Sequence, residues 1–133
     1  MADMFMPVYN VTNAVGPNQP NASDDVRLIQ SLFGLMRNHA WVTNAGLAPL
    51  GQDGVYTPLV SSYILAFQNA MGSSHIARDG IIHPIQRVNG LPVNNIGQVR
   101  STLMMLNYNC MMQFPAQYVR LAEVLRLRIN PPR

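Results

Sequence analysis

Side chains able to do acid–base, nucleophilic or metal chemistry are few in this chain. There is one glutamate, Glu123, and there are five aspartates. Two of these, Asp53 and Asp79, stand in Asp-Gly turn sequences. That commits them to backbone geometry and leaves paired carboxylates for general acid–base work poorly supplied. His39, His75 and His83 show no His-x-x-x-His spacing, and Cys110 is the single cysteine, so the ligand set of a zinc site is not written here. A grouping of His75, Asp79 and His83 ranks below plainer roles, with His83 capping a helix and His75 in a loop. Cys110 lies in an apolar helical run, where a buried structural thiol is a better reading than a nucleophile. No Gly-x-Ser-x-Gly elbow, P-loop or dinucleotide fingerprint occurs. The expectation is a non-enzymatic protein with no catalytic residue, no metal and no cofactor.

Binding chemistry has more to work with. Trp41, Tyr56, Tyr63, Gln68 and Arg78 fall near the Asp-Gly turns, and aromatics with an Arg and amides could hold an amide-rich, anionic glycopeptide. The competing reading makes Trp41 and Tyr56 core plugs and Gln68 a partner of backbone. It is favoured for Tyr56 and evenly balanced for Trp41.

The elements that must position these groups are helical. Residues 1–22, rich in Asn, Pro and Gly, read as an extended arm, with or without a short strand, lying on the body or on a neighbour. A helix begins near Ser23 or Asp24, either a good N-cap, with Val26, Ile29, Phe33 and Met36 on one face. Gly34 within it marks a close approach by another helix. Asn38 to Gln52 reads as a loop carrying Trp41. A second helix starts with Thr57 as cap and Pro58 in the first position, carries the stripe Val60, Ile64, Phe67 and Met71, and ends at Gly72. A third is expected over about 95–113, with Ile96, Val99, Leu103, Leu106, Cys110 and Phe114 in register. Pro115 breaks it. A fourth, about 116–128, buries Tyr118, Leu121, Ala122 and Leu125. No segment alternates with period two, so the class is mainly α.

The most specific signal is an internal repeat. Asp53-Gly54-Val55-Tyr56-Thr57-Pro58 returns 26 residues later as Asp79-Gly80-Ile81-Ile82-His83-Pro84. In each copy Asp can accept backbone N–H bonds, Gly can take positive φ, an apolar residue enters the core, and the polar–Pro pair starts a helix. With Val26-Arg27-Leu28-Ile29-Gln30 before the first copy and Ala66-Phe67-Gln68 before the second, the chain resembles the peptidoglycan-binding-like family of three-helix domains, in a phage- or bacterial-envelope-associated branch. The resemblance covers roughly residues 24–106 and rests on Val26, Gln30, Asp53, Gly54, Thr57, Pro58, Phe67, Asp79, Gly80 and Pro84. It implies a three-helix core with an added C-terminal helix. Residues 1–22 would form the arm, 23–114 the domain, and 115–133 a C-terminal helix with a Pro- and Arg-bearing tail. Thr57 and His83 depart from the family's usual Gly, and Val60 from its common Thr.

Composition narrows the partners. Only 11% of residues are charged and all nine basic residues are Arg, a surface suited to contact with other protein. Nine methionines, among them Met104, Met105, Met111 and Met112, exceed what one core face takes, and the surplus suits a subunit contact. Arg100, Arg120, Arg126, Arg128 and Arg133 face Glu123 alone, a balance of +4, against −1 for the remainder. Arg-mediated nucleic-acid contact therefore stands as a reading but ranks last. No stretch approaches the ~20 apolar residues of a bilayer span, and the opening residues lack the basic-then-apolar pattern of a secretory signal. The expectation is synthesis in a bacterial cytoplasm and residence in a virion or injection-type particle. There the chain would bind other subunits and, in one reading, peptidoglycan; in the other it would be purely structural, with no wall affinity.

Overall fold

The computed structural model describes residues 7–72, 77–89, 91–92, 95–96 and 99–129. Among them are five helices: α1 (Ser23–Leu35), α2 (Ala40–Asn44), α3 (Pro58–Met71), α4 (Thr102–Gln113) and α5 (Pro115–Ile129). Four two-residue strands join them: β1 (Arg87–Val88), β2 (Leu91–Pro92), β3 (Asn95–Ile96) and β4 (Val99–Arg100). The fold is mainly α.

The core forms where apolar stripes with helical spacing meet. Val26, Ile29, Leu32 and Phe33 of α1, Val60, Ile64 and Phe67 of α3, and Leu103, Leu106 and Cys110 of α4 are all fully buried. α1 packs on α4 and α5, α4 on α5, and α3 on α2. The helix α5 buries Tyr118, Leu121 and Leu125, three of the four residues that its sequence periodicity marks; Ala122 is half-buried.

Helix ends follow local chemistry. Pro58 opens α3, and Gly72 closes it in the left-handed conformation at φ 66°, where a side chain would be strained. Thr57 holds the N-cap position but its side chain makes no capping bond. Neither Ser23 nor Asp24 caps α1. The helix starts at Ser23 after Ala22, without a side-chain cap, and the acidic first turn is used elsewhere. Asp25 turns back to accept the backbone N–H groups of Thr12 and Asn13, both at 2.9 Å.

Four expectations need correcting. The 38–52 segment contains α2, a short helix from which Trp41 enters the body; five residues are too few for a periodic signal to rise above loop composition. Gly34 is approached not by a helix but by the side chain of Gln52, whose Nε2 lies 2.5 Å from where a Cβ would stand. Residues 95–96 and 99–100 are not helical. They contain β3 and β4, after β1 and β2, with Val88 opposite Leu91 and Ile96 opposite Val99. The intervening pairs, Asn89-Gly90 and Gly97-Gln98, have the composition of tight hairpin connections, and Asn89 takes φ 54°. With Pro92 just before this stretch and Gly97 inside it, the helical spacing of Ile96, Val99 and Leu103 is fortuitous. α4 waits for Ser101, whose hydroxyl caps Met104 N at 3.2 Å. His83 therefore caps no helix, since Pro84 leads toward β1.

The N-terminal segment lies on the body. Val15 and Ile82 exchange both backbone hydrogen bonds, at 3.0 and 2.8 Å, and Val11 and Val15 are buried. Two side-chain amides act as substitute strand partners. Asn107 accepts from Tyr9 N at 2.8 Å and donates to Tyr9 O at 2.9 Å. Asn10 does the same for Ile85, at 2.7 and 3.0 Å.

Candidate functional site

The two Asp-Gly hexapeptides are built alike at the level of single hydrogen bonds. In the first corner, Gln30 of α1 accepts from Gly54 N at 2.8 Å. Its Nε2 donates to Asp53 Oδ1 at 3.1 Å and to Val55 O at 3.2 Å. Asp53 Oδ1 also accepts from Val55 N at 3.0 Å. In the second corner, Gln68 of α3 accepts from Gly80 N at 2.9 Å. Its Nε2 donates to Asp79 Oδ1 at 3.2 Å and to Ile81 O at 3.3 Å, and Asp79 Oδ1 accepts from Ile81 N at 3.0 Å. Gly54 and Gly80 take φ 77° and 72°, values that favour glycine.

The helical half of each corner also matches. A Cβ on Gly54 would stand 2.7 Å from Ser23 Oγ and 2.8 Å from Ser23 O; one on Gly80 would stand 2.7 Å from Ser61 Oγ. Ser23 precedes Gln30 by seven residues, as Ser61 precedes Gln68. The repeated unit is thus a helix that presents a serine to a glycine and an amide to a turn. Sequence reasoning finds the turns and both glutamines but misses the serines. Their equal spacing from the glutamines is the available signal.

Electrostatics at the corners is modest. Hydrogen bonds from Val55 N and then from the Gln30 amide hold the Asp53 carboxyl below its ordinary value, in a fully solvated position. The Cys110 thiol, by contrast, is pushed up to about 12 by burial and donates to Leu32 O at 3.4 Å. That makes it a protonated packing group at neutral pH.

The five residues nominated for ligand contact do not converge on one surface. Tyr63 is buried and donates from its hydroxyl to Ala48 O at 2.6 Å. Gln68 is fully buried and its amide is spent on the second corner and on Thr102 Oγ1 at 3.1 Å. Trp41 is half-buried, with edge-on contacts to Phe33, Tyr63 and Phe67 at ring separations of 5.8, 6.2 and 5.6 Å. Tyr56 packs half-buried against the core. Only Arg78 is exposed. Trp41 and Tyr63 are therefore brought together as core aromatics, whereas Arg78 stands apart from them in burial. His75 lies outside the described residues. Among the described residues no three His, Cys, Asp or Glu side chains converge, and no helix is long and apolar enough to cross a membrane.

The described surface does carry apolar groups on the last two helices. Tyr108 and Met112, one turn apart on α4, are 58% and 61% exposed, and Val119 on α5 is 45% exposed. Met104, Met105 and Met111 are partly buried against the core and Met36 fully, so the methionines divide between interior and surface. No family model, no curated protein and no solved structure matches the chain.

Proposed function

We propose that this chain is a non-catalytic, peptidoglycan-binding-like helical domain serving as a binding or structural component of a phage or bacterial envelope-targeting assembly. The observation that carries the reading is the pair of corners, in which a helix-borne glutamine clamps an Asp-Gly turn twice with one hydrogen-bond pattern. The motif supports the domain type, and its glutamines and glycines are engaged inward. That suits a scaffold more than a reaction centre.

Within this reading the burial of Tyr63 and Gln68 and the inward packing of Trp41 favour the purely structural form, a subunit that docks on protein without wall affinity. The exposed Tyr108, Met112 and Val119 supply apolar area for such a contact. A sedimentation assay with purified peptidoglycan separates the two forms. Recovery above a bead control, lost on replacing exposed Arg78 with Ala, supports wall binding. Recovery at background leaves the structural form, and the capture of assembly subunits through a Tyr108→Glu-sensitive surface then tests that form directly.

A further inference from the structure

The N-terminal segment is held in a manner that does not depend on which copy of the chain supplies it. From Tyr9 to Val15 the body holds both backbone and side chains, the Tyr9 hydroxyl donating to Tyr118 O and accepting from Ala122 N, and the Asn10 amide pairing with Ile85. Asn107 takes both polar groups of Tyr9, Asp25 takes the N–H groups of Thr12 and Asn13, and Ile82 pairs with Val15. Val11 and Val15 fill buried positions, and Tyr9 stacks edge-on against Tyr118 at 5.0 Å. Between this segment and α1 lies a short connection, Pro17-Asn18-Gln19-Pro20-Asn21-Ala22. In it Asn18 and Asn21 take φ 61° and 50°, conformations that L side chains adopt at a cost. Asn21 pins the connection shut. It accepts from Gly16 N at 2.8 Å and donates to Gly16 O at 2.9 Å and Gln19 O at 3.0 Å. Two prolines in the same stretch favour an extended path once the pin is released.

We infer that Pro7–Gly16 is an exchangeable arm, placed by one copy of this chain into the corresponding groove of a second copy, with residues 17–22 as the hinge. Every contact between arm and groove is the same in the closed monomer and in the exchanged dimer. The balance is therefore set by the hinge and by chain concentration, which must offset the entropy of association: the Asn21 bonds favour closure, and the two left-handed residues favour opening. The inference goes beyond the proposed function, because it needs neither wall affinity nor the α4 surface.

Two measurements on the full chain test it. Asn21→Ala removes three closing hydrogen bonds and leaves an Ala at positive φ, without touching the arm–groove contacts. Light scattering after refolding over a concentration series should show its dimerisation constant raised by about tenfold or more over the wild type. The second measurement identifies the contact. Val15 and Ile82 form a hydrogen-bonded antiparallel pair, whose Cα separation of roughly 5.5 Å lies within disulfide reach. Val15→Cys and Ile82→Cys chains, each also carrying Asn21→Ala, are refolded together under reductant and then oxidised. They should give a mixed disulfide dimer well above that of a control pairing Val15→Cys with Glu123→Cys. An Asn21→Ala chain that stays monomeric, its arm merely frayed, overturns the inference. So does a dimer without the mixed disulfide, which would place the contact on another face.

Discussion

The two corners share a clamp and differ in the elements they lead into. After the first, Thr57-Pro58 passes directly into α3; after the second, His83-Pro84 passes into two hairpins, and α4 begins only at Ser101-Thr102. The clamp is therefore a self-sufficient unit. A buried glutamine amide satisfies the turn's exposed N–H and C=O groups, and the residues beyond the proline choose helix or hairpin by their own composition. Both glutamines are buried, but the second corner is tied more tightly, since Gln68 adds Thr102 Oγ1 to its partners, whereas Gln30 serves the turn alone.

The sharpest way to break the comparison is at the glycines. In Gly54→Ala the new methyl meets Ser23 backbone oxygen at 2.8 Å; in Gly80→Ala the nearest atom is the Ser61 hydroxyl, with Ser61 O at 3.6 Å. Backbone cannot step aside but a hydroxyl can rotate. Combining the positive-φ cost with overpacking, Gly54→Ala should destabilise by about 3 kcal/mol and Gly80→Ala by roughly 2, read from urea midpoints at constant slope. Equal losses would mean that serine contact plays no part.

Losses in the same range are expected at the clamps. Gln68→Ala leaves Gly80 N and Ile81 O without their partner in a fully buried site and should cost about 2–3 kcal/mol. Gln30→Ala should cost less, by roughly 0.5–1 kcal/mol, because it has no counterpart to the Thr102 bond. The reverse order would show that the Thr102 bond confers nothing.

A smaller effect belongs to acid. The Asp53 carboxyl is held below its ordinary value by Val55 N and the Gln30 amide, so the folded state favours its charged form. That contribution is present above the unfolded pKa of ~3.9 and fades as pH falls through the lower folded value. Asp53→Asn should flatten the acid limb of the stability–pH curve below about pH 4, by a small amount given full solvation; an unchanged limb would detach the carboxylate from the corner. Cys110, finally, should report these losses without causing any. With its thiol pushed up to about 12 and buried, it should react with a thiol reagent only at the rate of unfolding, faster in the glycine variants than in wild type. Rapid labelling of the native chain would contradict its burial.

Much of the fold is legible in the residues themselves. The apolar stripes of α1, α3 and α5, Pro58 and Gly72 as bounds of α3, and the Asp-Gly turns with Gln30 and Gln68 nearby all express local chemistry that the sequence displays. The parts that are not legible depend on distance. Periodicity overextends α4 because Ile96 and Val99 share the spacing of Leu103 by accident, and only the hairpin turn residues argue otherwise. The role of Asp25 is hidden because nothing in α1 announces the amides of Thr12 and Asn13. Trp41 can be weighed as a ligand or core group but not decided, since its aromatic type suits both and only tertiary packing around Phe33 decides between them.

The paired amide contacts of Asn107 and Asn10 have one more consequence. A carboxamide that stands in for a peptide group recognises the main chain and is blind to the letter written there. The Asp25 carboxylate reads main chain in the same way, so drift in sequence should be lenient at Thr12 and Asn13, whose side chains face solvent and whose N–H groups any residue but proline supplies. It should be strict at Asn107, where even the isosteric Asp exchanges the donor needed by Tyr9 O and Leu103 O for a second acceptor.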